Sequence, residues 1–294
     1  ASAMFLRILA VIAPILLIVL VGYLYARRHR PDLAAMNTVT VDVLTPLLVF
    51  SGLTAKNFDL LSNRWLLLGA FCVIAGSGLI AALIARWRGW DSRTFVPPMM
   101  FGNTGNMGLP VAVLAFGPEG LPPAVALFTM TNLLHFTWGA RLVTRSASLA
   151  GVLKSPVVIA SIAGIGFNLA RWTLPEPIAL PIKMLGEAAV PLMLFALGAR
   201  MIDLNLSGWR MGLAGALLCP LAGLVVAALA TQVLPFNATA VAQLYVYASL
   251  PPAVLNFLFA ERYAQEPEKV ASIVLLGNIA SLIFVPLGLV FALA

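Results

Sequence analysis

Two carboxylates lie where acids are rare. Asp42 and Glu187 each precede a proline by four residues in an apolar run, as Asp42-Val-Leu-Thr-Pro46-Leu-Leu-Val-Phe50 and Glu187-Ala-Ala-Val-Pro191-Leu-Met-Leu-Phe195. An ionised side chain at the centre of a membrane helix costs about 2.5–3.5 kcal/mol, so such groups usually face cavities and serve protons or ions. Proton coupling and cation ligation are both open to them. A purely local role, capping their own helix or pairing with a neighbour such as Lys183, is open as well.

A second set of residues is neutral. Gly102-Asn-Thr-Gly-Asn-Met-Gly-Leu-Pro110-Val111 places three glycines, two asparagines and a proline in ten residues, and Ala248-Ser-Leu-Pro251-Pro252-Ala-Val-Leu-Asn256 repeats the theme. Proline removes a helical hydrogen bond and glycine lets the chain leave helical dihedrals. Pro110 and Pro251–Pro252 are therefore expected to start second half-helices. The N-termini freed in this way suit an anion such as a carboxylate, and the carbonyls of the first halves suit a cation. Asn103, Thr104, Asn106, Ser249 and Asn256 add donors and acceptors around the breaks. The competing reading is a pair of packing kinks.

These residues need a bilayer to make sense. The chain has 294 residues, 61% hydrophobic and 10% charged, with mean hydropathy +0.99. A soluble domain carries about 25% charged residues. The chain therefore reads as an all-α polytopic membrane protein. With about 20 apolar residues per span, ten transmembrane helices are expected at 4–25, 34–54, 65–86, 94–116, 120–140, 152–170, 178–200, 210–234, 236–260 and 269–293. Ala1–Ala3, ahead of Met4, read as a foreign remnant.

The net charge of +7 is topological information rather than a nucleic-acid patch. Segments after spans one, three, five, seven and nine hold 13 of the 18 basic residues, among them Arg27, Arg86, Arg141, Arg145, Lys154, Arg200 and Arg262. The positive-inside rule then makes those loops cytoplasmic and leaves both termini outside.

The acids also recur in register, and the breaks recur within a few residues of it. Glu187, Pro191 and Phe195 follow Asp42, Pro46 and Phe50 at a constant offset of 145, and Asn278 follows Asn132 at 146. Five spans per copy is an odd number, so 4–140 and 152–293 read as two inverted five-helix repeats. Spans 4 and 9 are their broken members. Inverted repeats with broken helices near the midplane are the architecture of secondary transporters.

The remaining polar groups read as local. Asn132 and Asn278, on the spans after the breaks, could close a site or join helices. His135 reads as a packed, hydrogen-bonded histidine, with a proton relay as the alternative, Lys183 as a side chain snorkelling to the outer interface, and Glu261–Lys269 as a solvated loop. Cys72 and Cys219 read as buried thiols. HExxH, G-x-S-x-G, Walker A and CxxC motifs are absent, and two histidines cannot build a histidine-rich metal site. No enzyme, metal or cofactor is expected.

GNTGNMGLPVAVLAFG, LTPLLVF and SLPPAVLNFLFAERY together resemble the auxin efflux carrier family of permeases, in the larger group that includes the bile-acid sodium symporters. The resemblance implies a scaffold of spans 1, 2, 6 and 7 and a transport domain of spans 3–5 and 8–10. The fourth and ninth spans would cross at their breaks, and an elevator-type mechanism would operate. It assigns Asn103, Asn106 and Pro110 to the first crossing point and Pro251 and Pro252 to the second, and it implies a homodimer through the scaffold. Residues 141–154 replace the long central loop of the plant carriers. This implies a bacterial inner-membrane permease for a small organic anion such as malonate or malate, coupled to H+ or Na+ if coupled at all. The alternatives are a sodium-coupled symporter of the bile-acid type and a membrane ligand sensor that does not transport.

Overall fold

A computed structural model describes residues 2–56, 58–144, 154–202 and 208–293. Arg145 and most of the 141–154 connection lie outside these residues. The described chain is helical, with one isolated β-bridge and no strand. Among the described residues six continuous helices are long and apolar enough to cross a bilayer: Ile8–His29, Ala34–Leu53, Arg64–Arg88, Glu176–Arg200, Trp209–Val233 and Pro267–Leu293. Large apolar side chains such as Leu83, Leu229 and Ile283 are exposed along these helices. Lipid accommodates such a surface and water does not.

The other expected spans are shorter or interrupted. The helices, numbered along the chain, are α1 (Ser2–His29), α2 (Ala34–Val39), α3 (Thr45–Leu53), α4 (Arg64–Arg88), α5 (Ser92–Met100), α6 (Leu109–Phe116) and α7 (Leu121–Leu134). They continue as α8 (Ala140–Val143), α9 (Pro156–Leu169), α10 (Glu176–Arg200), α11 (Trp209–Val233), α12 (Ala238–Ala248), α13 (Val254–Arg262) and α14 (Pro267–Leu293). The fourth expected span is thus α5, a gap and α6, and the ninth is α12, a gap and α13. The sixth shortens to the 14 residues of α9.

Three π-helical turns, Thr40–Leu44, Thr104–Gly108 and His135–Gly139, are inserted in the helices. Two of them precede prolines. Pro46 and Pro110 cannot donate to the carbonyls of Asp42 and Asn106 four residues earlier, and a wider turn absorbs the missing bond. Asp42 sits within such a turn and is exposed. By contrast, Pro191 lies inside the unbroken α10, so the two acid–proline motifs do not make the same local structure.

The chain forms two compact units. Unit 1 comprises residues 1–64, 105–133 and 148–203, and unit 2 comprises 65–104, 134–147 and 204–294. Residues 105–133, the second half of the fourth span and most of the fifth, group with unit 1, so this grouping differs there from the division implied by the resemblance.

In unit 1, α1 packs along α10, and α3 packs on α9 and α10. Gly198 of α10 lets its backbone approach that of Val19 in α1, where any Cβ would collide. Small residues allow such close approach in membranes. Asn168 of α9 fastens the end of α3: Nδ2 donates to the carbonyls of Leu53 (2.8 Å) and Phe58 (2.9 Å), and Oδ1 accepts from the Leu60 N–H (3.0 Å).

In unit 2, α14 is the central element, packing on α11, α12 and α13. A polar network ties the start of α5 to the turn after α13. Thr94 Oγ1 donates to Glu266 Oε2 (2.6 Å), and Gln265 Nε2 donates to Asp91 Oδ2 (3.0 Å) and Thr94 Oγ1 (2.9 Å). Lys269 pairs with Glu266, and Arg93 with Asp91. This corrects the reading of 261–269 as a merely solvated loop: Gln265 is buried, and Glu266 bonds to a residue 172 positions away.

The Arg93 side chain, then the Arg93 N–H and Gln265, hold the Asp91 carboxyl below the usual range against partial burial. Burial pushes Glu266 upward, but hydrogen bonds from Lys269 and Thr94 prevail and leave it lowered. Carboxyls with depressed pKa values stabilise the fold fully above their unfolded values, near pH 4, and lose that contribution as pH falls through the folded values. Thermal melts of the solubilised protein should therefore show a midpoint that falls on acidification below about pH 4. The Asp91→Asn/Glu266→Gln variant should lose much of that slope; an unchanged slope would place the acid sensitivity elsewhere.

Candidate functional site

The two breaks within unit 2 meet directly. α5 ends at Met100, and Phe101 turns extended, with φ −111° and ψ 97°. On the other segment α12 ends at Ala248, and the chain runs through Pro251 and Pro252 before α13 begins at Val254. The Asn103 N–H donates to the Pro251 carbonyl (2.6 Å), and the Ala253 N–H donates to the Phe101 carbonyl (3.0 Å). Gly102 and Pro252 face each other between these bonds as an antiparallel pair.

This geometry explains why a proline is tolerated. In an antiparallel pair of the non-hydrogen-bonded kind, neither residue's N–H points at the partner. Pro252 occupies that position, so its missing N–H costs no bond.

Side chains then lock the joint. Asn256 Nδ2 donates to the Phe101 carbonyl (3.0 Å) and to the Ala253 carbonyl (3.0 Å). From α14, Asn278 Oδ1 accepts from Asn103 Nδ2 (3.1 Å), while Asn278 Nδ2 donates to the carbonyls of Val274 (2.7 Å) and Pro252 (3.4 Å). Gly277, its neighbour, lets Pro252 press on α14; a Cβ there would lie 2.5 Å from the proline Cδ. The Ser249 hydroxyl closes the end of α12 by donating to the Val246 carbonyl (2.8 Å).

His135 packs beside the joint, stacked on Phe101 (4.2 Å between ring centroids, 6°) and edge-on to Phe259 (5.0 Å). Among the described residues no partner lies in good hydrogen-bonding geometry to its Nε2 or to the buried Oδ1 of Asn256. His135 is therefore packed between aromatic rings as expected, but the hydrogen bond expected of it is not seen at Nε2.

The expected residues divide as follows. Asn103, Thr104, Ser249, Pro251, Pro252, Asn256 and Asn278 belong to unit 2 and are buried there. Asn106, Pro110 and Asn132 belong to unit 1. Asn132 donates to the Phe128 carbonyl one turn back in its own helix (3.1 Å), so it does not mirror the interhelical bonds of Asn278.

The first break also lies earlier than its proline suggested. Helical turns resume at Thr104, and Pro110 sits in the first turn of α6, after the π-helical turn. The gap is Phe101–Asn103. At the second break the prolines lie inside the gap, ahead of α13, rather than in its first turn. Asn168 and Gln265, which hold the two units' loops, carried no signal in the sequence beyond being polar.

Glu187 lies in a different setting, within unit 1. It lines a cavity of about 750 Å³ bordered by α3, α6, α10 and the connections after α3, α6 and α9. Its carboxylate pairs with Lys183 one turn earlier, at 3.8 Å, and both side chains are half-exposed. Lys183 therefore faces this pair and cavity instead of simply snorkelling. Asp42 does not line the cavity. Among the described residues no cluster of His, Cys, Asp and Glu could hold a metal ion, and both cysteines are free thiols.

Comparison with known proteins gives this geometry a context. Residues 7–152 and 140–289 match the family described as membrane transport protein. An uncharacterized transporter of Methanothermobacter thermautotrophicus is 32% identical over 93% of this chain and 94% of its own length. A "Putative malonate transporter" of Rhizobium meliloti is 29% identical over 33% of this chain and 34% of its own. Auxin efflux carrier component 6 of Arabidopsis thaliana is 25% identical over 62% of this chain and 30% of its own.

Proposed function

The chain belongs to the membrane transport protein family that includes the auxin efflux carriers, and from that premise we propose that it carries a small organic anion, a carboxylate, across the bilayer. As a family member it is an integral membrane transport protein and not an enzyme. The observation that carries the proposal is the joint of the two breaks. Helices need no interruption to cross a membrane, and exposed backbone at that depth survives only where protein or a water-filled cavity satisfies it. Here two interruptions satisfy each other through main-chain bonds and three asparagines. Opening any of them would present N–H groups suited to a carboxylate. Two partial relatives support that substrate class, since malonate and auxin are both carboxylates.

The proposed architecture has ten spans in two inverted five-helix repeats, 4–140 and 152–293. Spans 1, 2, 6 and 7 stay as scaffold and dimer contact, while spans 3–5 and 8–10 move in elevator-type alternating access. Both termini lie outside a bacterial inner membrane. No cofactor is required, and the motion is driven by H+, Na+ or the substrate's own gradient.

Proteoliposomes containing the purified protein test this reading. They should accumulate labelled malonate, malate, citrate or indole-3-acetate, and imposed pH or sodium gradients identify the coupling ion. Binding of these anions without flux would make the protein a sensor and sink the carrier reading.

A further inference from the structure

The charged side chains of the unit 1 cavity belong to no part of the joint. Five line it: Lys56, Glu119, Glu176, Lys183 and Glu187. One of the acids has a local role, because Glu176 sits in the first turn of α10, where the peptide dipoles favour negative charge, while Glu119 lies in the short turn Pro118–Gly120. Lys56 makes no ion pair among the described residues. Lys183 has one, but a weak one. Its separation of 3.8 Å exceeds a direct charge-assisted hydrogen bond of about 2.7–2.9 Å. Half-exposed pairs one helical turn apart contribute little to stability.

We propose that this cavity is a docking site for a small dicarboxylate, in which Lys183 exchanges the Glu187 carboxylate for one carboxylate of the substrate and Lys56 meets the other. This deepens the anion-carrier reading and rests on it. The cavity suits the task in size: small-molecule sites run about 300–1,000 Å³, with mostly apolar walls and few polar groups. The remaining walls are largely apolar, with Leu48, Val113, Leu121, Leu180 and Val190 among them. On the Lys183 ammonium one carboxylate replaces another, and the displaced Glu187 carboxylate stays in the cavity as a further negative charge that needs a cation. Glu187 then acts as an internal competitor, and the freed carboxylate becomes available to a proton or sodium ion.

Competition has a signature that a structural salt bridge lacks. Malonate uptake into proteoliposomes is measured against concentration for each variant, with acetate as the single-carboxylate control. Lys183→Gln should raise the KM for malonate about tenfold, the loss of a charge-assisted bond. Glu187→Gln should lower it about threefold, because the competing charge is gone while the side chain keeps its shape. Lys183→Arg should stay close to wild type, and acetate should be affected less than malonate in the lysine variants. An unchanged KM in Lys183→Gln, or a raised KM in Glu187→Gln, overturns the proposal. Should Lys183→Gln fail to fold, the direction of the Glu187→Gln shift decides alone. Wild-type protein that moves no carboxylate overturns both readings; normal wild-type uptake with insensitive variants overturns only this one.

Discussion

Replacing Asn278 by leucine is expected to lower the stability of the solubilised protein by about 2–4 kcal/mol and to reduce carboxylate uptake at least tenfold. Interhelical hydrogen bonds in bilayers average only about 0.6 kcal/mol, with a maximum near 1.7. That average applies when both partners can find alternatives. Here the variant takes from the buried Nδ2 of Asn103 its bond across to α14 and removes a donor from the Pro252 carbonyl. Buried groups left without partners cost about 1–3 kcal/mol each. Asn132, the matching asparagine 146 residues earlier, supplies the control. It bonds only to its own helix at Phe128 among the bonds described, so Asn132→Leu should cost within about 1 kcal/mol. Thermal melts and uptake assays of the two variants side by side test the difference. Equal effects would mean that the α14 bonds to the breaks do not hold the joint.

Gly277→Ala should be nearly as damaging through packing alone. The added Cβ would lie 2.5 Å from Cδ and 3.1 Å from Cγ of Pro252. A proline ring cannot swing away as a flexible side chain would, so the strain passes to the Gly102–Pro252 pairing. Overpacking of this kind costs about 1–3 kcal/mol. A second helical glycine separates this effect from helix propensity. At Gly166 a Cβ would meet nothing within 4 Å, and Gly→Ala at such a site stabilises by about 0.4–1 kcal/mol. Opposite signs for the two substitutions are expected in thermal melts. A neutral Gly277→Ala would show that the joint tolerates displacement.

The legible features were those with a backbone cause. Gly102–Gly108 and Pro251–Pro252 announce interruptions because glycine and proline act through their own dihedrals and missing N–H. Their exact limits were not legible. The turn at Thr104–Gly108 absorbs the defect of Pro110 downstream of the real gap, and nothing in residue type distinguishes a π-helical turn from an α-helical one. The Lys183–Glu187 pair was visible as a four-residue spacing; the cavity it faces was not. Asn103, Asn256 and Asn278 stood out as polar residues in apolar spans, but the bonds from Asn103 to Asn278 and from Asn256 to Phe101 cross 175 and 155 positions and depend on how α5, α13 and α14 converge. Asn168 and Gln265 lie near loops, where polar residues are ordinary. Only the packed chain reveals that each holds three described bonds or two, respectively, across more than 100 positions.

The first half of one broken helix and the second half of the other are fastened at two places. They meet at Phe101–Asn103 with Pro251–Ala253, and again where Asp91 and Thr94 hold Gln265 and Glu266. From Thr94 to Phe101 is seven residues, about 10 Å of helix. Two attachments that far apart fix a direction as well as a position. α5 and α13 therefore behave as a braced strut: neither can swivel against the other without breaking one set of bonds. Whatever bending unit 2 undergoes must be taken up outside this strut.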